Sequence, residues 1–157
     1  MEDWRRLHDV LLPFLVRCGA AALCGAMVGL ERELRNKPAG FRTNILICVG
    51  AAMYMTVGLI LTPHGGQQVD PTRIAAQVVT GIGFLGAGSI LQAGGRVTGL
   101  TTAATIWVVA AIGLISGAGF PILAFVATCM VVLTLVVLRR FENRFLDPSV
   151  SGDSRDD

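Results

Sequence analysis

The chain has 157 residues, enough for one domain, yet 53% are hydrophobic and only 15% charged, with a mean hydropathy of +0.64. Typical globular chains carry about 25% charged residues. A net charge of +2, with no basic stripe interleaved with aromatics, argues against a nucleic-acid partner. The charges are also segregated, with none in residues 18–30, 43–69, 74–95 and 97–138. A membrane-spanning helix needs about 20 apolar residues, so the pattern is that of a polytopic membrane protein embedded in a lipid bilayer.

The first predicted span covers 10–30. It is longer than a signal-peptide core, holds Arg17 midway and runs into "ERELR" without a small-residue cleavage site, so it reads as an uncleaved span. Arg17 is the costliest residue there. It either snorkels to the outer interface or is buried with a partner, for which Asp70 is the natural candidate, with Arg73 beside it. Cys18, Ala22, Gly25 and Gly29 step by 4, 3 and 4 and line one helical face. "NKPAG" breaks the chain before a second span at 43–62, and "TPHGGQQVDP" precedes a third at 73–92. Asp70-Pro71 has the form of an N-cap followed by proline at the first helical position. "QAGGRVTG" leads to a fourth span at 98–116, and "SGAGFP" makes a tight turn into a fifth at 120–138. Residues 1–140 thus form one five-helix transmembrane domain, an all-α bundle, and 141–157 a short polar, disordered cytoplasmic tail.

An odd number of spans puts the termini on opposite sides. With the C-terminus inside, nine Lys and Arg fall on cytoplasmic segments (Arg32, Arg35, Lys37, Arg42, Arg96, Arg139, Arg140, Arg144, Arg155). Only Arg5, Arg6 and Arg73 fall outside. The positive-inside bias therefore favours N-out, C-in.

"TGIGFLGAGS" (80–89) contains Gly81, Gly83 and Gly86 in the dinucleotide-loop spacing G-x-G-x-x-G, followed by Gly88. The context of such a loop is missing, since the motif lies inside an apolar run and no Asp or Glu occurs between Asp70 and Glu142. In lipid, helices associate through close contact of small residues. Ala76, Thr80, Gly83 and Ala87 line one face of the third span, and Gln77, Gly81, Phe84 and Gly88 an adjacent one. These faces and that of Gly25 and Gly29 predict tight helix contacts, either between spans one and three or at a homo-oligomer seam. A second use is a broken helix whose carbonyls line a cavity.

Polar residues gather at the inner ends. Glu31, Arg32 and Glu33 end the first span, Arg42, Thr43 and Asn44 begin the second, and Gln92 and Arg96 close the third. Thr98, Thr101, Thr102 and Thr105 open the fourth. They form either an interfacial salt-bridge belt or a small polar vestibule open to the cytoplasm. The four cysteines, all in apolar runs and without metal-ligand spacing, read as small hydrophobes. No catalytic constellation occurs, so an enzyme is not expected, nor is a resident cofactor.

At "GLERELRNKPAGFRTN", "DPTRIAAQVVTGIGFLGAGSIL" and "VTGLTTAATIWVVAAIGLISGAG" the sequence resembles the MgtC/SapB family of bacterial inner-membrane proteins, from about residue 14 to 138. The resemblance implies a five-helix inner-membrane domain with a cytoplasmic C-terminus. It implies a role in growth at low magnesium and, in pathogens, survival inside macrophages. The matching motif positions are Glu31, Arg32, Arg42, Thr43, Asp70, Arg73, the glycines of 81–88, and Thr101, Thr102 and Trp107. Longer family members carry a further cytoplasmic domain, which these 157 residues do not include.

Two functions follow from the resemblance. One is a regulatory membrane protein that binds partner helices, such as those of an F-type ATP synthase. The other is a transporter or channel for magnesium or another cation. Mg²⁺ gives up water reluctantly and wants carboxylates or phosphates. The weak candidate ligands are Glu31 and Asp70, at opposite membrane edges, with no acid within a span; that favours regulation.

Overall fold

The computed structural model describes residues 2–61, 70–93 and 96–145. Five helices follow in chain order: α1 (Glu2–Leu34), α2 (Phe41–Ile60), α3 (Pro71–Gly88), α4 (Leu100–Gly117) and α5 (Pro121–Phe145). A small antiparallel hairpin, β1 (Leu91–Ala93) and β2 (Arg96–Thr98), joins α3 to α4, with Gln92 opposite Val97. The stretch expected to be the last turn of the third span is therefore strand: α3 stops at Gly88. Gly99, at φ 92°, turns the chain from the hairpin into α4, a conformation open to glycine but costly for residues with a Cβ.

Each helix begins and ends where the local chemistry dictates. Asp70 caps α3 by accepting from the Thr72 N–H at 2.9 Å, with Pro71 at the first position, as the sequence predicts. α1 ends in a Schellman turn: Asn36 takes a left-handed φ of 53°, its N–H bonds Glu33 O, and Lys37 N–H reaches back to Arg32 O. α4 ends the same way, with Gly119 at φ 97° and bonds from Gly119 and Phe120 to Ser116 and Ile115. Besides the end of α3, two boundaries differ from expectation. α1 begins at Glu2, and α5 runs to Phe145, into the stretch assigned to the tail. The rest of that tail, 146–157, lies outside the described residues, as do 62–69 of the second connection.

α1 lies along α2, α2 along α4, and α4 touches all four other helices. Backbones approach closely because glycines face one another's neighbours. A Cβ on Gly25 would stand 2.7 Å from Asn44 O and 2.9 Å from the Cys48 Cβ, and one on Gly29 2.8 Å from Phe41 Cα. On α4, a Cβ at Gly113 would stand 2.9 Å from the Ala51 Cβ, and one at Gly117 2.8 Å from Ala52 Cα. Around these contacts lie the buried residues Ala21, Cys24, Val28, Cys48, Ala52, Val109 and Ile112. This is how membrane helices gain stability, through dispersion contacts made possible by missing side chains.

The small-residue face of α1 is thus paired, but its partner is α2. The expected pairing of spans one and three is not formed. The loop of 35–40 is too short to carry the chain past α2, so α2 takes the face. Nor does α3 break: it is one continuous helix through Gly81, Gly83 and Gly86.

Among the described residues, four helices are long and apolar enough to cross a membrane: His8–Leu34, Phe41–Ile60, Leu100–Gly117 and Pro121–Phe141. α3 falls short by composition, because Arg73, Gln77, three threonine or proline positions and its glycines dilute the apolar residues. Its 18 residues nevertheless match α4 in length, about 27 Å at 1.5 Å per residue. The protein is a multi-pass helical membrane protein.

Candidate functional site

Arg32 donates to Thr102 at the start of α4, and Arg17 to Gly117 at its end, so α1 and α4 run antiparallel in fixed register. The last turns of α1 and α5, the end of α3 and the first turns of α4 then meet at one end of the bundle. There they enclose a half-open cleft of about 1050 Å³.

The charged floor of the cleft comes from α1. Glu31 and Arg35, one turn apart, form an ion pair, and Arg32 approaches the same carboxylate at 3.8 Å. Glu31 is 8% exposed and Arg32 3%, so this is a buried arrangement. It is ionic in character: neither Glu31 oxygen takes a hydrogen bond of good geometry. Arg32 Nη2 donates to Thr102 Oγ1 at 3.3 Å, while its Nε finds no acceptor among the described residues. Lys37, Arg139 of α5 and Thr101 complete the polar wall.

The polar cluster expected from the sequence is thereby divided. Glu31, Arg32, Thr101 and Thr102 come together in the cleft. Glu33 faces elsewhere and accepts from the Phe41 N–H at 2.9 Å, supplying the first turn of α2 with the cap that Gly40 cannot offer. Asn44, fully buried, donates to Ala39 O and Gly40 O at 2.7 and 2.8 Å and staples the turn between α1 and α2. Arg42 and Thr43 are exposed and outside the cleft. Arg96 joins the hairpin through its backbone, and its side chain lies outside the described part. The sequence reading did not place Arg35, Lys37 and Arg139 in the site. Arg35 was legible as the i+4 partner of Glu31; Arg139 required knowing which end of α5 returns to α1.

At the opposite end the expected pair of Arg17 and Asp70 is not formed. Arg17 donates to Gly117 O at 3.1 Å, and its own carbonyl accepts from Ser116 Oγ at 2.7 Å. The guanidinium therefore caps the C-terminus of α4, where carbonyls are unsatisfied and the dipole is negative. Asp70 is held by Thr72, whose hydroxyl and N–H keep its carboxyl below the ordinary carboxylate range. Arg73 lies at the rim of a second, mainly apolar groove of about 770 Å³ between α2 and α3.

The glycines divide too. Gly25 and Gly29 pack α1 on α2, and Gly86 meets Ala103 of α4 at ordinary contact, 3.7–4.0 Å for an added Cβ. Gly81, Gly83 and Gly88 have nothing within 4 Å of an added Cβ. Ala76, Thr80, Gln77, Phe84 and Ala87 share that bare surface, Phe84 at 81% exposed. Of the cysteines, Cys24 and Cys48 are buried as expected, whereas Cys129 faces outward and Cys18 is half-buried.

Among the described residues no three His, Cys, Asp or Glu side chains group as a metal site. The two candidate magnesium ligands do not fit one: Glu31 is engaged by two arginines, and Asp70 caps a helix at the other end.

Comparison with known proteins gives the chain a family. The MgtC family model matches residues 19–144. The chain is 43% identical over 140 residues to the Escherichia coli K12 protein named "Putative magnesium transporter YhiD", covering 85% of this chain and 64% of that one. It is 40% identical over 148 residues to Protein MgtC of Salmonella typhimurium LT2, covering 93% and 62%. It is 45% identical over 119 residues to Protein MgtC of Brucella abortus, covering 76% and 48%. The chain thus spans about half to two-thirds of the length of these relatives. No solved structure matches it. With a family match over most of its residues and relatives above 40% identity, the chain belongs to the MgtC family.

Proposed function

We propose that the protein is a regulatory, non-catalytic component of the bacterial inner membrane that serves adaptation to low magnesium by binding the membrane helices of a partner. The observation that carries this reading is the bare face of α3. A Cβ added at Gly81, Gly83 or Gly88 would meet nothing within 4 Å among the described residues, whereas Gly25, Gly29, Gly113 and Gly117 sit where an added Cβ would collide with a neighbouring helix. The exposed half of α3 carries small residues on two adjacent faces, Ala76, Thr80, Gly83 and Ala87 on one and Gly81 and Gly88 on the other, and in lipid such faces gain little until a second helix lies against them. All five helices cross in this reading, and Arg32, Arg35, Lys37, Arg42 and Arg139 at the cleft end make that end cytoplasmic. A proton-translocating ATP synthase, whose membrane sector is a helix assembly, is the partner proposed. No resident cofactor is required.

The alternative is transport of magnesium, which the name of YhiD carries for that protein. Against it stands the engagement of the acids in this chain, described above. The deciding experiment is reconstitution of the full chain into liposomes loaded with a Mg²⁺ indicator. Influx no faster than through protein-free vesicles is expected; rapid, protein-dependent influx overturns the regulatory reading. For the partner, a photoreactive side chain at Gly83 should capture an ATP synthase membrane subunit in cells, and one at buried Gly113 should not.

A further inference from the structure

The cleft carries more positive charge than its own acid balances. Arg32, Arg35, Lys37 and Arg139 line it, and Glu31 is the one carboxylate among its described lining residues. Among the described lining residues, four cations thus face one anion, which two of them already share. Arg32 is 3% exposed, and its Nε has no acceptor among the described residues. A buried guanidinium N–H left unmatched is costly and marks a place where an acceptor belongs. The first turn of α4 adds to the same field. Its cap, Gly99, offers no side-chain acceptor, which leaves the first N–H groups of α4 and the positive end of its dipole at the cleft.

An anion is what such a rim attracts, and the wall below it indicates which kind. Deeper along α4 and α5 the cleft is faced by Val108, Met130, Val131 and Leu135. From Arg139 to Met130 is nine residues of helix, about 13 Å. A free phosphate or a nucleotide makes no use of that apolar strip. A phospholipid offers a phosphate and then an acyl chain, in the order in which the cleft presents cations and then hydrocarbon. Basic pockets between membrane helices bind acidic headgroups by the same chemistry.

We propose that the cleft seats an anionic phospholipid of the adjoining leaflet. Its phosphate lies among Arg32, Arg35, Lys37 and Arg139, and an acyl chain lies along Val108, Met130 and Leu135. The proposal stands whether the protein regulates a partner or conducts an ion.

The test uses the full chain, purified in mild detergent, stripped of lipid and titrated by native mass spectrometry with phosphatidylglycerol and phosphatidylcholine of matched chains. Phosphatidylglycerol should be retained in preference. Lys37→Gln and Arg139→Gln should each weaken it about fivefold and leave phosphatidylcholine unchanged. Arg42→Gln removes an exposed cation at the same end but outside the cleft, and should change nothing. Met130→Trp, at a side chain 65% exposed, should crowd the acyl chain out with every charge in place and the melting temperature retained. Equal retention of the two lipids overturns the proposal, as does an equal loss in Arg42→Gln or undiminished binding in Met130→Trp. Displacement of the lipid by millimolar inorganic phosphate or ATP, independent of chain length, assigns the cleft to a soluble phosphate and also overturns it.

Discussion

The sharpest test of the packing compares two glycine-to-alanine changes that differ only in what the new methyl meets. At Gly113 it would stand 2.9 Å from the Ala51 Cβ and closer still to the Cys48 carbonyl, where ordinary contact begins at 3.4 Å. The shortfall against the Ala51 Cβ alone is 3.4 − 2.9 = 0.5 Å, so α2 and α4 must separate by at least that much. Overpacking of this kind costs about 1–3 kcal/mol. At Gly83 the methyl meets nothing within 4 Å. Both changes gain the same helix propensity, about 1 kcal/mol, and that gain cancels in the comparison. Gly113→Ala should therefore fall below Gly83→Ala by about 1–3 kcal/mol, a gap on the order of 2–12 °C in melting temperature for a chain this size. Thermal melts of the two variants in one detergent, followed by the fluorescence of the α4 residue Trp107, measure it. If the two variants melt within a degree of each other, the close approach of α2 and α4 is wrong. If Gly83→Ala is the worse, the α3 face is covered in the purified protein.

Three further outcomes follow from the ends of the helices. Arg17→Gln should destabilise the bundle by about 1–2 kcal/mol, the worth of a charge-assisted bond to a helix C-terminus, read as earlier hydrogen exchange in the last turn of α4. Glu33→Ala should loosen the first turn of α2 by about 1 kcal/mol, and Gly40→Ala should match it, because a methyl there collides with the Glu33 carboxylate; slowed rather than quickened exchange at Phe41 would refute the cap. Asp70 has its folded pKa depressed by Thr72, so its contribution is fully present above the ordinary carboxylate pKa and is lost as pH falls through the lower folded value. Exchange at the start of α3 should quicken on acidification through that window, and Asp70→Asn, which still caps, should remove the pH dependence.

Helix number was legible because charge-free runs and breakers are one-dimensional signals, and Asp70-Pro71 marked its helix start through purely local chemistry. Partners were not legible. The stepping of Cys18, Ala22, Gly25 and Gly29 marks a face, but only the short turn at 35–40 decides that α2 occupies it. The tight contact of α4 with α2 was available as the plain G-x-x-x-G of Gly113 and Gly117, which the glycine-dense α3 overshadowed. Within the polar cluster, residue type could not separate Glu31, turned into the cleft, from Glu33, turned onto α2. The two lie about 200° apart on α1, so they point to opposite sides, and only the packing of α1 against α2 and α4 decides which side meets the cleft. Arg17 and Asp70 fall at the same end of the bundle, yet each finds a nearer helix terminus to satisfy.

The acid that a magnesium path would most need is the one the fold can least release. Glu31 lies buried between Arg32 and Arg35, and taking one partner from a buried ion pair costs about 3–5 kcal/mol. At about 1.36 kcal/mol per tenfold, that is a penalty on the order of 10²–10⁴ in affinity before Mg²⁺ has shed any water. Among the described lining residues, the divalent cation would also enter a cleft where four cations face one acid. Asp70 cannot share the load: it caps the start of α3, whose far end borders the cleft, and 18 helical residues separate the two by about 27 Å. In the proposed function, a link to magnesium would run through what the protein binds, a helix at α3 or an acidic headgroup at the cleft, rather than through an ion held by Glu31 or Asp70.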